Sequence, residues 1–188
     1  MELYLVRHTA PAVASGICYG HAEVDLHENA ATEFEIVRGK FADLVPAAFY
    51  TSPLLRCRRL AAALSWGDAR QDDRLKEMHF GEWELQRWDA IPREIFDHWA
   101  THFVEHAPPG GESFRELYAR ATGFFADAAE QHPDATVVAV THAGVIRALL
   151  AHALNLSLQH APGFRLDFGG VTKLVADGTH INVAFVNR

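Results

Sequence analysis

Two arginines and two histidines stand where short apolar runs end. Leu3-Tyr4-Leu5-Val6 stops at Arg7-His8-Thr9, Ala47-Ala48-Phe49-Tyr50-Thr51 leads into Ser52-Pro53-Leu54-Leu55-Arg56, and the run 136–140 leads into Thr141-His142-Ala143-Gly144. Short, β-prone apolar runs read as buried strands, and in an open α/β sheet the strands' carboxyl ends share one edge, where ligands bind. The four side chains can therefore converge. Arginine forks match phosphate oxygens in a bidentate way. Arg56 and Ala143 also fall in first turns of predicted helices, where free N–H groups and the positive dipole end favour an anion. The favoured ligand is a phosphoryl group held without a metal. An imidazole nitrogen set against phosphorus is a competent nucleophile, and the transition state needs mainly positioning and positive charge. A leaving alkoxide also needs a proton, so a carboxyl group is expected nearby. Glu77, Glu82 and Glu84 crowd the irregular stretch 66–87, and residue chemistry alone does not choose among them.

The elements that must hold these residues follow from the pattern between them. Residues 9–26, with Pro11, Ser15, Gly16, Gly20 and Asp25, show no sustained period and form a functional loop. Across 27–45, Ala30, Phe34, Val37, Phe41, Leu44 and Val45 keep helical spacing, and Pro46 is expected to end that helix. Ser52 at the N-cap and Pro53 at the first helical position open a second helix to about Leu64. Trp88, Ile91, Ile95, Trp99 and Phe103 give another helical stripe around Pro92 before Pro108-Pro109-Gly110-Gly111 breaks the chain. Glu112-Ser113 opens a helix to Gln131 with Phe114, Leu117, Ala121, Phe124, Phe125 and Ala128 inward, and a further helix runs from Ala143 through Leu154. Strands are expected at 164–168, 171–175 and 181–186, the last two joined by an Asp177-Gly178 turn. Strands alternating with amphipathic helices predict a three-layer α/β/α sandwich, with a mostly parallel sheet and an antiparallel edge strand, built as one domain over residues 1–188.

Composition narrows the function classes. Hydrophobic residues make up 49% and charged residues 22% of the 188, which are globular values. The formal charge of −7 argues against nucleic acid or an anionic membrane as partner, so any phosphate site must be built locally. Only Cys18 and Cys57 occur, and Glu2 stands where a basic leader would begin, which points to a cytoplasmic protein with free thiols. The most apolar segment, 137–156, is interrupted by His142, Arg147 and His152 and makes a poor membrane span. The expected partner is a small phosphorylated metabolite, with no cofactor; monomer and homodimer both stay open.

Arg7-His8-Thr9, Ser52-Pro53-Leu54-Leu55-Arg56, Glu77-Met78-His79-Phe80-Gly81-Glu82-Trp83-Glu84 and Thr141-His142-Ala143-Gly144-Val145 resemble, in order and spacing, the signatures of the histidine phosphatase (phosphoglycerate mutase-like) superfamily. The resemblance implies that His8 is the phosphohistidine, that Arg7 and Arg56 bind phosphate, that His142 is the second pocket histidine and that Glu77 is the proton donor. Cys18-Tyr19-Gly20 ahead of Val24-Asp25-Leu26, and Pro108-Pro109-Gly110-Gly111-Glu112-Ser113, look most like the α-ribazole phosphatase branch, which removes the 5′-phosphate of α-ribazole phosphate in cobalamin assembly. On that footing Tyr19 and Gly20 are substrate-contact candidates. The first motif lacks the Gly-Glu-Ser/Thr continuation of the mutases, which speaks against mutase activity. Ala30 and Leu85 stand where many relatives carry glycine.

Other readings compete. Phosphoglycerate mutase-type transfer and a catalytically silent phospholigand-binding module are the rivals to hydrolysis. Trp83, Trp88 and Trp99 read as core or lid packing rather than a stacking platform. His98, His102 and His106 recur at i, i+4 and i+8, a spacing that can bind a transition metal, yet beside the apolar stripe they read as a solvent-facing flank, and no metal site is assigned.

Overall fold

The computed structural model describes all 188 residues except 42 and 179. In chain order the elements are β1 (Glu2–Arg7), α1 (Ala30–Gly39), β2 (Ala48–Thr51), α2 (Leu55–Leu64), β3 (Arg70–Gln71), α3 (Arg93–His102), α4 (Phe114–Gln131), β4 (Thr136–Thr141), α5 (Ala143–Ala153), β5 (Val171–Asp177) and β6 (His180–Phe185). One six-stranded sheet runs β3-β2-β4-β1-β5-β6. The first four strands in that order pair in parallel, while β5 runs antiparallel to both β1 and β6.

Both faces of the sheet are covered. Along β4, Val137 and Ala139 face a core shared with α4 and α5, whereas Val138 and Val140 face one shared with α1 and α2. This is the period-2 alternation of a strand buried on both sides. The six inward positions expected on α4 are all buried, and Ser113 with Glu116 closes a capping box at its start. No helix among the described residues is long and apolar enough to cross a membrane.

Four expectations are corrected. The first helix ends at Gly39, not at Pro46. Beyond it the N–H groups of Lys40, Phe41 and Leu44 donate to Val37, Arg38 and Phe41, and these successive turns keep the helical apolar spacing while Val45 is left 83% exposed. The second helix opens at Leu55 with Leu54 as its N-cap; the Ser52 hydroxyl makes its short contact with His142 at 2.8 Å and accepts only a 3.4 Å bond from the Leu54 N–H, ahead of the helix. No strand forms at 164–168: only Leu166 is buried there, and exposed Arg165 and Asp167 pair with each other. On α3, Ile95 points to solvent and Phe96 joins the aromatic cluster instead, since Pro92 restarts the helix and rotates its face.

Leu85 adopts φ +64° and is 61% exposed. Left-handed backbone costs an ordinary residue roughly 1–2 kcal/mol, part of which a glycine returns through its larger unfolded-state entropy. Leu85→Gly is therefore expected to stabilise the fold by about 0.5–1 kcal/mol, or about 1–4 °C in a thermal melt. An unchanged or lower Tm would show that the Leu85 side chain makes up for its backbone.

Candidate active site

β1 and β4 lie side by side, so Arg7 and His8 end next to Thr141 and His142; the His8 N–H donates to the Thr141 carbonyl at 3.0 Å. The two imidazoles meet edge to face with centroids 5.1 Å apart, and both are essentially buried. His8 Nδ1 lies 2.7 Å from the Thr9 carbonyl oxygen, which can only accept. The ring proton therefore sits on Nδ1, and Nε2 carries the free lone pair. Burial, and then the charges of Arg56 and Arg7, hold His8 well below the ordinary histidine range; burial, Arg56 and His8 do the same to His142. Both rings are neutral near pH 7, as a nucleophile must be.

That shift carries a stability signature. Below about pH 6.5 the unfolded chain protonates its histidines while folded His8 stays neutral, so the native state binds fewer protons and loses stability as pH falls. The slope is up to about 1.4 kcal/mol per pH unit for each such histidine. Denaturant unfolding near pH 7.5 and near pH 5 should show His8→Asn losing about 1–2 kcal/mol less than the parent chain. Equal losses would mean that His8 titrates normally in the fold.

Each guanidinium is held from several sides. Arg7 donates to the Leu166 carbonyl at 2.6 Å and lies 3.8 Å from the Phe168 ring centroid. Arg56, in the first turn of α2 and fully buried, donates to the carbonyls of Gly20 at 2.7 Å and Ala22 at 3.1 Å. The Nε groups of both arginines are buried with no hydrogen-bond partner among the described residues, as are Thr9 Oγ1 and His21 Nε2. Unspent buried donors beside two cations are suited to phosphoryl oxygens. Tyr19 sits between the arginines, its ring 5.5 Å from the Arg56 guanidinium and its hydroxyl beside Arg7. Gly20 is buried beneath Arg56 and braces it through its carbonyl; a Cβ there would come within 2.0 Å of the Met78 carbonyl oxygen.

The carboxylates separate by their contacts. Glu77 accepts from the amides of Met78 at 2.9 Å and Gly144 at 3.0 Å, which sets it against the amino end of α5 beside Ala143. Glu84 is used structurally, accepting from the His21, Ala22 and Phe80 amides and so tying the two loops together. Glu82 is exposed. The loop carrying Glu77 is clamped by Arg120, which donates to the carbonyls of Arg74, Lys76 and Glu77 and pairs with Glu112.

A family model for the histidine phosphatase superfamily (branch 1) matches residues 3–188. The chain belongs to that superfamily. Among relatives of this histidine phosphatase, the adenosylcobalamin/alpha-ribazole phosphatase of Escherichia coli is 28% identical over 181 residues, covering 90% of this chain and 87% of the relative. Phosphoserine phosphatase 1 of Hydrogenobacter thermophilus is also 28% identical, over 178 residues, with 89% and 82% covered. The crystal structure of the alpha-ribazole phosphatase from Shigella flexneri superposes with a TM-score of 0.88 at 23% identity, covering 100% of this chain and 96% of that one, and shares the fold.

The histidine phosphatase site also holds residues that the pattern reading did not assign. Ser52 Oγ lies 2.8 Å from His142 Nε2, and the Cys57 thiol lies 3.3 Å from the same nitrogen. Burial raises that thiol's pKa, so it stays protonated. Phe168 lies 5.5 Å from His8, centroid to centroid, and shields the outer side of Arg7. Ser52 carried a misread signal, a helix start; Phe168 and Arg120 carried none, because nothing local marks a contact made across the fold. Cys18 is buried against the Trp83 cluster, and both cysteines are free.

Proposed function

We propose that this histidine phosphatase is a metal-independent phosphomonoesterase in which all 188 residues form one domain, acting on a small phosphorylated metabolite. The observation that supports it most is the meeting of a neutral, buried imidazole, two cations with unspent donors and a carboxyl group at one sheet edge. His8 Nε2 attacks phosphorus as the P–O bond to the leaving oxygen breaks, and Glu77 supplies that oxygen's proton. Water then attacks the phosphohistidine, giving its proton to Glu77 and returning the His8 lone pair. Arg7, Arg56, His142 and the Ala143 end of α5 hold the phosphoryl charge throughout, with Tyr19 beside the ester group.

For the substrate we take α-ribazole 5′-phosphate, a reading supported by the Cys18-Tyr19-Gly20 and Pro108 to Ser113 motifs, since the 28% identity to the Escherichia coli enzyme is equalled by phosphoserine phosphatase 1. The phosphoserine phosphatase relative supplies the competing substrate. Release of inorganic phosphate from both compounds, measured in EDTA beside a 3-phosphoglycerate isomerisation assay, separates the readings. A kcat/KM for α-ribazole phosphate well above that for phosphoserine is expected. Preference for phosphoserine would overturn the substrate, and isomerisation without phosphate release would overturn hydrolysis.

The role given to Glu77 has its own test. A Cβ at Gly144 would stand 2.1 Å from Glu77 Oε1, so Gly144→Ala must displace the carboxylate. The variant is expected to lose about 10²-fold or more in kcat on alkyl phosphates and far less on p-nitrophenyl phosphate, whose leaving group needs no proton. Equal losses on both would remove Glu77 from proton transfer.

A further inference from the structure

Outside this site, at the far end of α3, one ligand nitrogen from each of His98, His102 and His106 lies within 4.8 Å of the other two, and all three residues are exposed. None of them belongs to the hydrophobic core, and their rings meet one another with centroids 4.7, 5.2 and 5.3 Å apart. His98 Nε2 and His106 Nδ1 face each other at 3.2 Å. Two imidazoles on one tetrahedral metal, with bonds of about 2.0–2.1 Å, stand about 3.3 Å apart. His102 Nδ1 lies 2.9 Å from the His98 carbonyl oxygen, so its proton is on Nδ1 and its Nε2 lone pair is free. That outer hydrogen bond is how protein metal sites fix a histidine ligand's tautomer.

The geometry points to a surface site for a borderline divalent transition metal, Zn²⁺ or Ni²⁺, bound by His98, His102 and His106. A donor set of three imidazole nitrogens disfavours Mg²⁺ and Ca²⁺. His102 and His106 also line a cavity of about 490 Å³ with Arg115 and Leu158, which leaves room for water to complete the coordination shell. His106 lies beyond the end of α3, so the ion would tie the helix's last turn to the 103–106 turn. That turn's Phe103 and Val104 carbonyls accept the first N–H groups of α4. The site would therefore brace the α3–α4 corner, independently of the phosphoryl chemistry at His8.

Titration calorimetry of the full chain with ZnCl₂ near pH 7.5 is expected to show one ion bound, and His98→Gln, His102→Gln and His106→Gln should each weaken it about tenfold or more. The exposed single-histidine controls His160→Gln and His180→Gln should bind as the parent does. Far-UV circular dichroism checks that every variant folds, and phosphatase activity in EDTA should be the same in all of them. The absence of saturable Zn²⁺ or Ni²⁺ binding, or full binding retained in a His98→Gln/His102→Gln double variant, would overturn the proposal.

Discussion

His8→Ala is expected to remove turnover, lowering kcat by about 10⁴-fold or more, because it deletes the atom proposed to carry the phosphoryl group. The pocket should survive. The His8 ring is held by the Thr9 carbonyl, Arg7 and Arg56 are anchored to carbonyls of other segments, and among the described residues no side chain donates to or accepts from the His8 ring. Inorganic phosphate should therefore still bind the variant, read as a rise in Tm. The parent chain, quenched seconds after mixing with ³²P-labelled substrate, should carry acid-labile, alkali-stable phosphate that the variant lacks. Phosphatase activity in purified His8→Ala within tenfold of the parent would overturn the covalent mechanism.

Arg56→Lys is expected to have the next largest effect, a fall in kcat/KM of about 10³-fold. Charge is kept, but the fork is lost. In the parent each terminal nitrogen gives one N–H to the loop, to Ala22 and Gly20, and Nε is left for phosphate with the remaining N–H groups of the fork. One ammonium cannot do both. Either the loop carbonyls or the phosphoryl oxygens lose their donor, so the variant should also bind inorganic phosphate more weakly in a thermal-shift assay. A loss of only two- or threefold in kcat/KM would mean that Arg56 is a structural brace for the 20–22 loop and that Arg7 alone clamps the anion.

What was legible in the sequence was what short-range physics writes there. The apolar runs ending in Arg7-His8 and Thr141-His142 mark buried strands because a strand covered on both faces must be apolar throughout, and both sit in the sheet as expected. α4 is readable from its capping box and its inward stripe. The α1 boundary was lost because consecutive turns reproduce helical spacing without a helix. The strand expected at 164–168 fails for the same reason, since a loop that buries only Leu166 of these five residues can mimic alternation. At the site, Arg56 could be placed by helix position, but Glu77 was separable from Glu84 only once the amides of His21, Ala22 and Phe80 were seen to consume the latter. Those partners lie up to 63 residues away, and no local spacing encodes them.

The position of β1 has a kinetic consequence. Both of its neighbours come much later in the chain: Leu3 pairs with Val137 on one side and Leu174 on the other. Such distant pairings close large loops and fold slowly. On a ribosome β1 must wait, apolar and unpaired, until β4 and β5 have emerged. Arg7 and His8 then come to face His142 only as the sheet closes around them. Partly folded forms should therefore carry no anion pocket, so phosphate would act as a ligand of the finished sheet alone. Adding phosphate to a refolding mixture should slow unfolding while leaving the folding rate nearly unchanged.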